Sequence, residues 1–127
     1  MKRILFHLFI LLTLTVGCNK AEVNDVTVWT EALGIANGIA EDDQNADIFM
    51  FNDRVYEIFS SDSNSKDSSE EKIGEIQKVY SLGDTFQNGM ATKLPIGAKV
   101  YTTSIGNSFL LVNVEGKWIE YKSLPQG

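Results

Sequence analysis

The sequence predicts a mainly β fold, a small antiparallel meander sheet or small barrel of about five to six strands with one short N-terminal helix. Three observations carry this. Short runs of aromatic and β-branched residues recur from residue 47 to the C-terminus, at 48–51, 55–59, 73–80, 94–103, 109–114 and 117–121. Two of the gaps between them are tight and turn-forming, Asn52-Asp53-Arg54 and Glu115-Gly116. Helical spacing of apolar residues shows in the stretch 26–40.

Ahead of that body lies a leader. Lys2 and Arg3 give a basic start, residues 4–16 are apolar apart from His7, Thr13 and Thr15, and Gly17 and Cys18 close the run. A basic start, a short apolar run and a small residue before the cut make an export signal. A membrane-crossing helix needs roughly 20 apolar residues. This run stops sooner, at Asn19 and Lys20, so residues 1–17 are expected to form a cleaved signal peptide rather than an anchor. Thr15-Val16-Gly17-Cys18 resembles the lipobox of bacterial lipoproteins and departs from it at Thr15, where leucine is usual. The resemblance implies cleavage before Cys18, diacylglycerol with palmitate-type chains on its sulfur, and attachment to the extracytoplasmic face of the cell membrane.

A physical reason points the same way. Cys18 is the chain's single cysteine, so it has no partner for an intramolecular disulfide, and a lone thiol on an exported protein needs a use. Each buried CH₂ of an acyl chain adds about 0.8 kcal/mol of membrane affinity, and two chains hold a protein stably where one does not. The competing readings are an ordinary secretory signal with an incidental cysteine, or an intermolecular disulfide.

Processing before Cys18 leaves nine basic against seventeen acidic residues, a net charge of −8, and removes His7, the only histidine. Such a chain has no imidazole general base, no Ser-His-Asp triad and no histidine metal ligand. With its cysteine committed to lipid it has no thiolate zinc site either, and no cofactor is expected. An acidic chain lacks the basic contacts on which nucleic-acid affinity depends. Anionic headgroups would also repel it, so the acyl chains must supply the attachment.

In order, residues 18–25 read as a polar tether to one small domain at 26–127. Within 26–40, Trp29, Leu33, Ala36 and Ala40 recur at three- and four-residue steps. Thr27 is the expected cap, with Thr30 and Glu31 in the first turn. Gly34 and Gly38 each cost about 1 kcal/mol in a helix interior. The competing reading is a short strand at 26–30 followed by a glycine-rich loop. Residues 41–45 are acidic and expected to be a loop. Asp43, Asn45 and Asp47 begin like a calcium loop, but Ile48 stands where glycine belongs and Arg54 where the bidentate glutamate belongs, so no metal is expected.

The runs at 48–51 and 55–59 flank Asn52-Asp53, residues that tolerate a left-handed turn, and form the clearest hairpin. Alternation puts Phe49 and Phe51 on one side, with Val55 as a candidate third, and Ile48 and Met50 on the other. Both sides are apolar, so the hairpin is expected to be covered on both faces, one of them by the helix. Residues 61–72 contain no apolar side chain and read as a long flexible loop. Residues 73–80 read as one strand, 81–93 as a loop with Phe86 and Met90 tucked onto the core, and 94–103 as a strand entered through Pro95 and Gly97. The final runs, 109–114 and 117–121, form a hairpin about Glu115-Gly116.

From residue 47 onward this layout resembles small uncharacterised modules on exported proteins of Gram-positive, Bacillus-type bacteria. The matching stretches are 48–56, 73–75, 94–101 and 114–118. The resemblance implies fold and compartment and carries no activity.

Three functions follow as expectations. The leading one is a non-enzymatic, membrane-anchored surface lipoprotein, a binding or accessory module with a candidate protein partner at the cell surface and with Trp118, Tyr121, Tyr101 and Tyr56 as candidate ligand contacts. The alternative is an inhibitor or immunity protein for a secreted basic enzyme or toxin, which the acidic charge would steer. The third is a carboxylate-dependent hydrolase built from Glu57, Glu75 and Glu120.

Overall fold

The computed structural model describes residues 30–61 and 65–126. The leader, Cys18, the tether and the first residues of the expected helix lie outside them.

Thr30, extended at φ −85° and ψ 158°, caps helix α1 (Glu31–Asp42): its hydroxyl accepts a hydrogen bond from the Leu33 N–H at 3.3 Å. Glu31 places a negative charge in the first turn, where the helix dipole favours it. The cap is therefore Thr30, three residues beyond the expected Thr27. The helix runs on to Asp42, into the acidic stretch expected to be loop. Its buried stripe is Ala32, Leu33, Ala36, Asn37 and Ala40, the expected spacing with one polar member. Asn37 Nδ2 donates to the Leu33 carbonyl at 2.8 Å, and Asn37 Oδ1 accepts from the Phe86 N–H at 2.8 Å. That side chain pins the loop after residue 80 to the helix.

Strands β1 (Ile48–Phe51) and β2 (Arg54–Ser60) form the expected hairpin. Asn52 and Asp53 both have positive φ, 49° and 60°, the backbone of a two-residue turn whose twist matches that of the strands. Arg54 pairs with Phe51 and belongs to the strand. This shortening corrects the parity of Val55. Val55 pairs with Met50 and joins Ile48 and Met50 on the side that α1 covers, with Phe86 and Met90 completing the cluster. Phe49 and Tyr56 point the other way, into a second cluster with Ile76, Leu94, Val100, Leu110, Val112 and Tyr121. The hairpin is thus apolar on both faces because it separates two cores.

The segment expected to be a flexible loop is structured over most of its length. A 3₁₀ turn (Ser65–Ser68) leads into β3 (Ser69–Glu75). β3 pairs antiparallel with β6 (Lys99–Thr103), and the Glu71 N–H donates to Thr102 Oγ1 at 3.0 Å. An edge strand needs backbone partners more than an apolar face, so its polar composition concealed it. The run 73–80 is likewise two strands, β3 and β4 (Lys78–Val79), and β4 pairs in parallel with β5 (Met90–Ala91) inside the expected loop. β7 (Phe109–Val114) and β8 (Lys117–Ser123) form the final hairpin. Residues 94–98 precede β6 as a turn, with Leu94 and Ala98 buried.

The result is mainly β, with one helix and a mixed sheet of eight strands in the order β3-β6-β7-β8-β2-β1-β5-β4. It exceeds the expected five to six strands, and it is not a meander. β3 and β4 are its two outermost strands, yet only Ile76 and Gln77 separate them in the chain. The Ile76 N–H donates to the Ala98 carbonyl at 2.9 Å and the Gln77 N–H to the Gly89 carbonyl at 2.8 Å. Such a connection is possible only if the sheet curls as a half-barrel to bring its edges together. Gly74 lies where they meet: a Cβ there would come 2.7 Å from Phe51 Cζ.

Candidate functional site

Three of the four aromatic residues expected at a binding face are buried, Tyr56, Tyr121 and Trp118. Tyr121 is 0% exposed, edge-on to Phe49 at 4.9 Å between ring centroids, while Tyr56 stacks on Phe49 at 5.2 Å. The Tyr121 hydroxyl donates to Asp47 Oδ1 at 2.8 Å. Burial, reinforced by the neighbouring Asp47 carboxylate, pushes the Tyr121 phenol far above its ordinary range. Burial also raises Asp47, against the opposing pull of the Tyr121 hydrogen bond and of Lys93, and it raises Tyr56. These tyrosines pack the core and offer no ring to a ligand. The sequence reading treated strand aromatics as a potential surface; the register places these two on the concave side.

Tyr101 and Trp118 lie on the opposite, convex side, with centroids 5.0 Å apart. They flank Leu111, which is fully buried. Trp118 is itself buried and Tyr101 half-buried, so this pair presents an edge rather than a platform. The exposed aromatic that the sequence reading missed is Phe59, 58% accessible. It is the extra residue of a bulge between Ile58 and Ser60, and a bulge re-aims the side chain it carries. Phe59 meets Phe109 edge-on at 5.2 Å, and Lys122 Nζ stands about 6 Å over both rings.

The three glutamates of the hydrolase reading do not converge. Glu75 pairs opposite Lys99 on β6 and is bonded to Lys72 Nζ at 2.7 Å, which holds its carboxyl below the usual range. Glu57 faces Lys122, and Glu120 faces Leu111 on β7 and Ser60 across the bulge. In the stretch that began like a calcium loop, Asp43 Oδ1 accepts from the Asn45 N–H at 2.8 Å while Asp47 turns to Tyr121.

The site with the most definite chemistry was not foreseen. A cleft of about 550 Å³ opens between the start of α1, the β1–β2 turn and residues 85–88. Leu33, Met50 and Phe86, all buried, form its floor, and Thr30, Asp53, Thr85, Gln87 and Asn88 supply polar groups. Its walls are fastened together. The Asp53 N–H donates to Asn88 Oδ1 at 2.8 Å, Asn88 Nδ2 returns a hydrogen bond to Asp53 Oδ1 at 2.9 Å, and Gln126 Nε2 donates to the Asp53 carbonyl at 2.8 Å. No protein family, curated protein or solved structure matches this chain. The cleft must therefore be read from its own chemistry. A second depression, about 490 Å³, lies between residues 95–99 and the β7–β8 turn. It is formed mainly by turn backbone and has Ile96 exposed beside it.

An apolar wall facing a fixed carboxylate can hold a ligand that is apolar along its length and cationic at its end. Nothing local in the sequence signals this, because the lining residues are drawn from three separate stretches of the chain.

Proposed function

We propose that the chain is a lipid-anchored, non-enzymatic surface lipoprotein whose β domain binds a protein partner at the extracytoplasmic face of the cell membrane. The observation that carries this reading is the basic, apolar leader ending in Gly17 and the sole cysteine, Cys18. Eleven residues, 19–29, separate that cysteine from the described body. Fully extended they reach about 40 Å, enough for the domain to meet a partner beside the membrane without spanning it. Mass spectrometry of the membrane form is expected to give an N-terminal peptide that begins at Cys18 and carries acyl mass. Recovery with residues 1–17 attached, or as a water-soluble form with a free thiol, overturns the reading.

The acidic balance of the processed chain, −8, favours a second, narrower reading: an inhibitor or immunity protein that covers a basic secreted enzyme or toxin. A basic secreted protein encoded beside this gene supports it; its absence from the neighbourhood in related genomes counts against it.

A further inference from the structure

We propose that the cleft between the start of α1 and the β1–β2 turn receives a lysine or arginine side chain from a basic protein partner. This rests on the binding-module reading and gives that module its contact point.

A long cationic side chain has two parts, an apolar stem and a charged head, and each needs a different surface. Leu33, 8% exposed, is the apolar side chain the stem can reach; Met50 and Phe86, at 1% and 0%, lie behind it as the buried floor, and Thr30, Thr85 and Gln87 complete the lining. Asp53 stands at the cleft with a carboxylate for the head. The carboxylate is held in place before anything binds. Hydrogen bonds fix the Asp53 N–H, its carbonyl and Oδ1 through Asn88 and Gln126. The residue is kept at φ 60°, a conformation that non-glycine residues adopt at some strain. Oδ1 takes the bond from Asn88, and among the described residues no lysine or arginine forms an ion pair with Asp53. A charged acceptor that is already ordered and unpaired by a cation binds a cationic head with little further ordering cost. The acidic charge of the rest of the molecule draws a basic partner toward it.

The test uses the mature, acylated chain in neutral detergent micelles with ¹³C-labelled methionine methyls. After processing, two methionines remain, Met50 at the cleft and Met90 elsewhere in the same core. The probes are acetyl-Gly-Arg-Gly-amide and its uncharged citrulline counterpart. The arginine peptide is expected to shift the Met50 methyl saturably, and the citrulline peptide to bind at least tenfold more weakly. Asp53→Asn tolerates the left-handed turn and is expected to weaken arginine binding at least tenfold. Thr85→Trp keeps the carboxylate but narrows the cleft, with the same expected loss; it decides the matter should Asp53→Asn disturb the turn. Equal response to both peptides, or undiminished binding in both variants, overturns the site. Cross-linked pull-down from membranes separates the two levels of the claim. A basic partner captured equally by wild type and both variants leaves the module reading standing and overturns this cleft, whereas absence of any partner counts against the module reading and the peptide titration still decides the cleft.

Discussion

The two faces of the β1–β2 hairpin are built from the same short strands and do different work. On the concave side Phe49 and Tyr56 meet Tyr121 in a closed cluster of rings and branched side chains, stacked at 5.2 Å and edge-on at 4.9 Å. On the convex side Ile48, Met50 and Val55 meet a helix stripe composed mostly of alanine. Large residues interlocked on one face leave no room for a ligand. Small helix residues on the other let α1 lie close along most of its length but leave the cleft at its start, where Leu33, Met50 and Phe86 face polar groups across about 550 Å³. One face is closed by packing, and the other leaves an open cleft. Removing the ring at the centre of the first face should give the largest effect. Phe49→Ala is expected to lower stability by about 4 kcal/mol, the usual loss for a fully buried phenylalanine, read as a fall in the urea midpoint. A loss below about 1.5 kcal/mol would show that the concave cluster yields as readily as the helix layer.

The second face is broken through a buried polar side chain, Asn37. Asn37 joins α1 to Phe86 by hydrogen bonds at both ends of its amide, each 2.8 Å. Asn37→Ala leaves the Phe86 N–H buried without that partner, for an expected loss of about 2 kcal/mol. Because Phe86 lines the cleft, the same change should shift the Met50 methyl resonance while leaving the rings about Phe49 in place. If both faces respond equally, they form one core and the division of labour fails.

The same contrast explains what was legible in the sequence. Both hairpins could be read because their evidence is local: alternating apolar residues around Asn52-Asp53 and around Glu115-Gly116. The boundaries of β7 came out where expected, at 109 and 114. Val55 changes side because the turn takes two residues and not the three that Asn52-Asp53-Arg54 suggests, and one residue of register reverses every side chain after it. The first part of β3, residues 69–72, reads as loop because its support comes from β6, about thirty residues further along the chain, and its own side chains are polar. β4 merges with β3 into one expected strand, and β5 reads as loop, for a related reason: two-residue strands carry no period. Cys18 and the leader were readable as a motif and lie outside the described residues. The cleft was not readable at all, since Leu33, Met50, Asp53 and residues 85–88 become neighbours only when the helix docks on the hairpin. Tyr56 and Tyr121 looked like surface aromatics because composition alone cannot say which way a curled sheet turns.

Tyr121 links the two faces, and the smallest expected effect sharpens where they join. Its ring belongs to the concave cluster, while its hydroxyl reaches Asp47, in the connection between α1 and β1. Burial raises the Asp47 carboxyl above its ordinary value of 3.8, and the bond from Tyr121 pulls it part of the way back. A carboxyl whose folded value is raised binds protons more readily in the native state than in the unfolded chain. Its contribution therefore favours folding below the unfolded value and is lost as pH rises through the folded one. Tyr121→Phe keeps the ring but removes the donor that favours the charged form. Stability should fall by about 1.5 kcal/mol at neutral pH, and the deficit relative to wild type should shrink on acidification, as Asp47 becomes protonated in both proteins. The Asp47 carboxyl resonance should titrate at higher pH in the variant, and Asp47→Asn should abolish the pH-dependent part of the difference. An Asp47 titration unmoved by loss of the hydroxyl would mean that the connection is held to the concave core by packing alone. The helix layer would then lean on that core without any polar coupling between them.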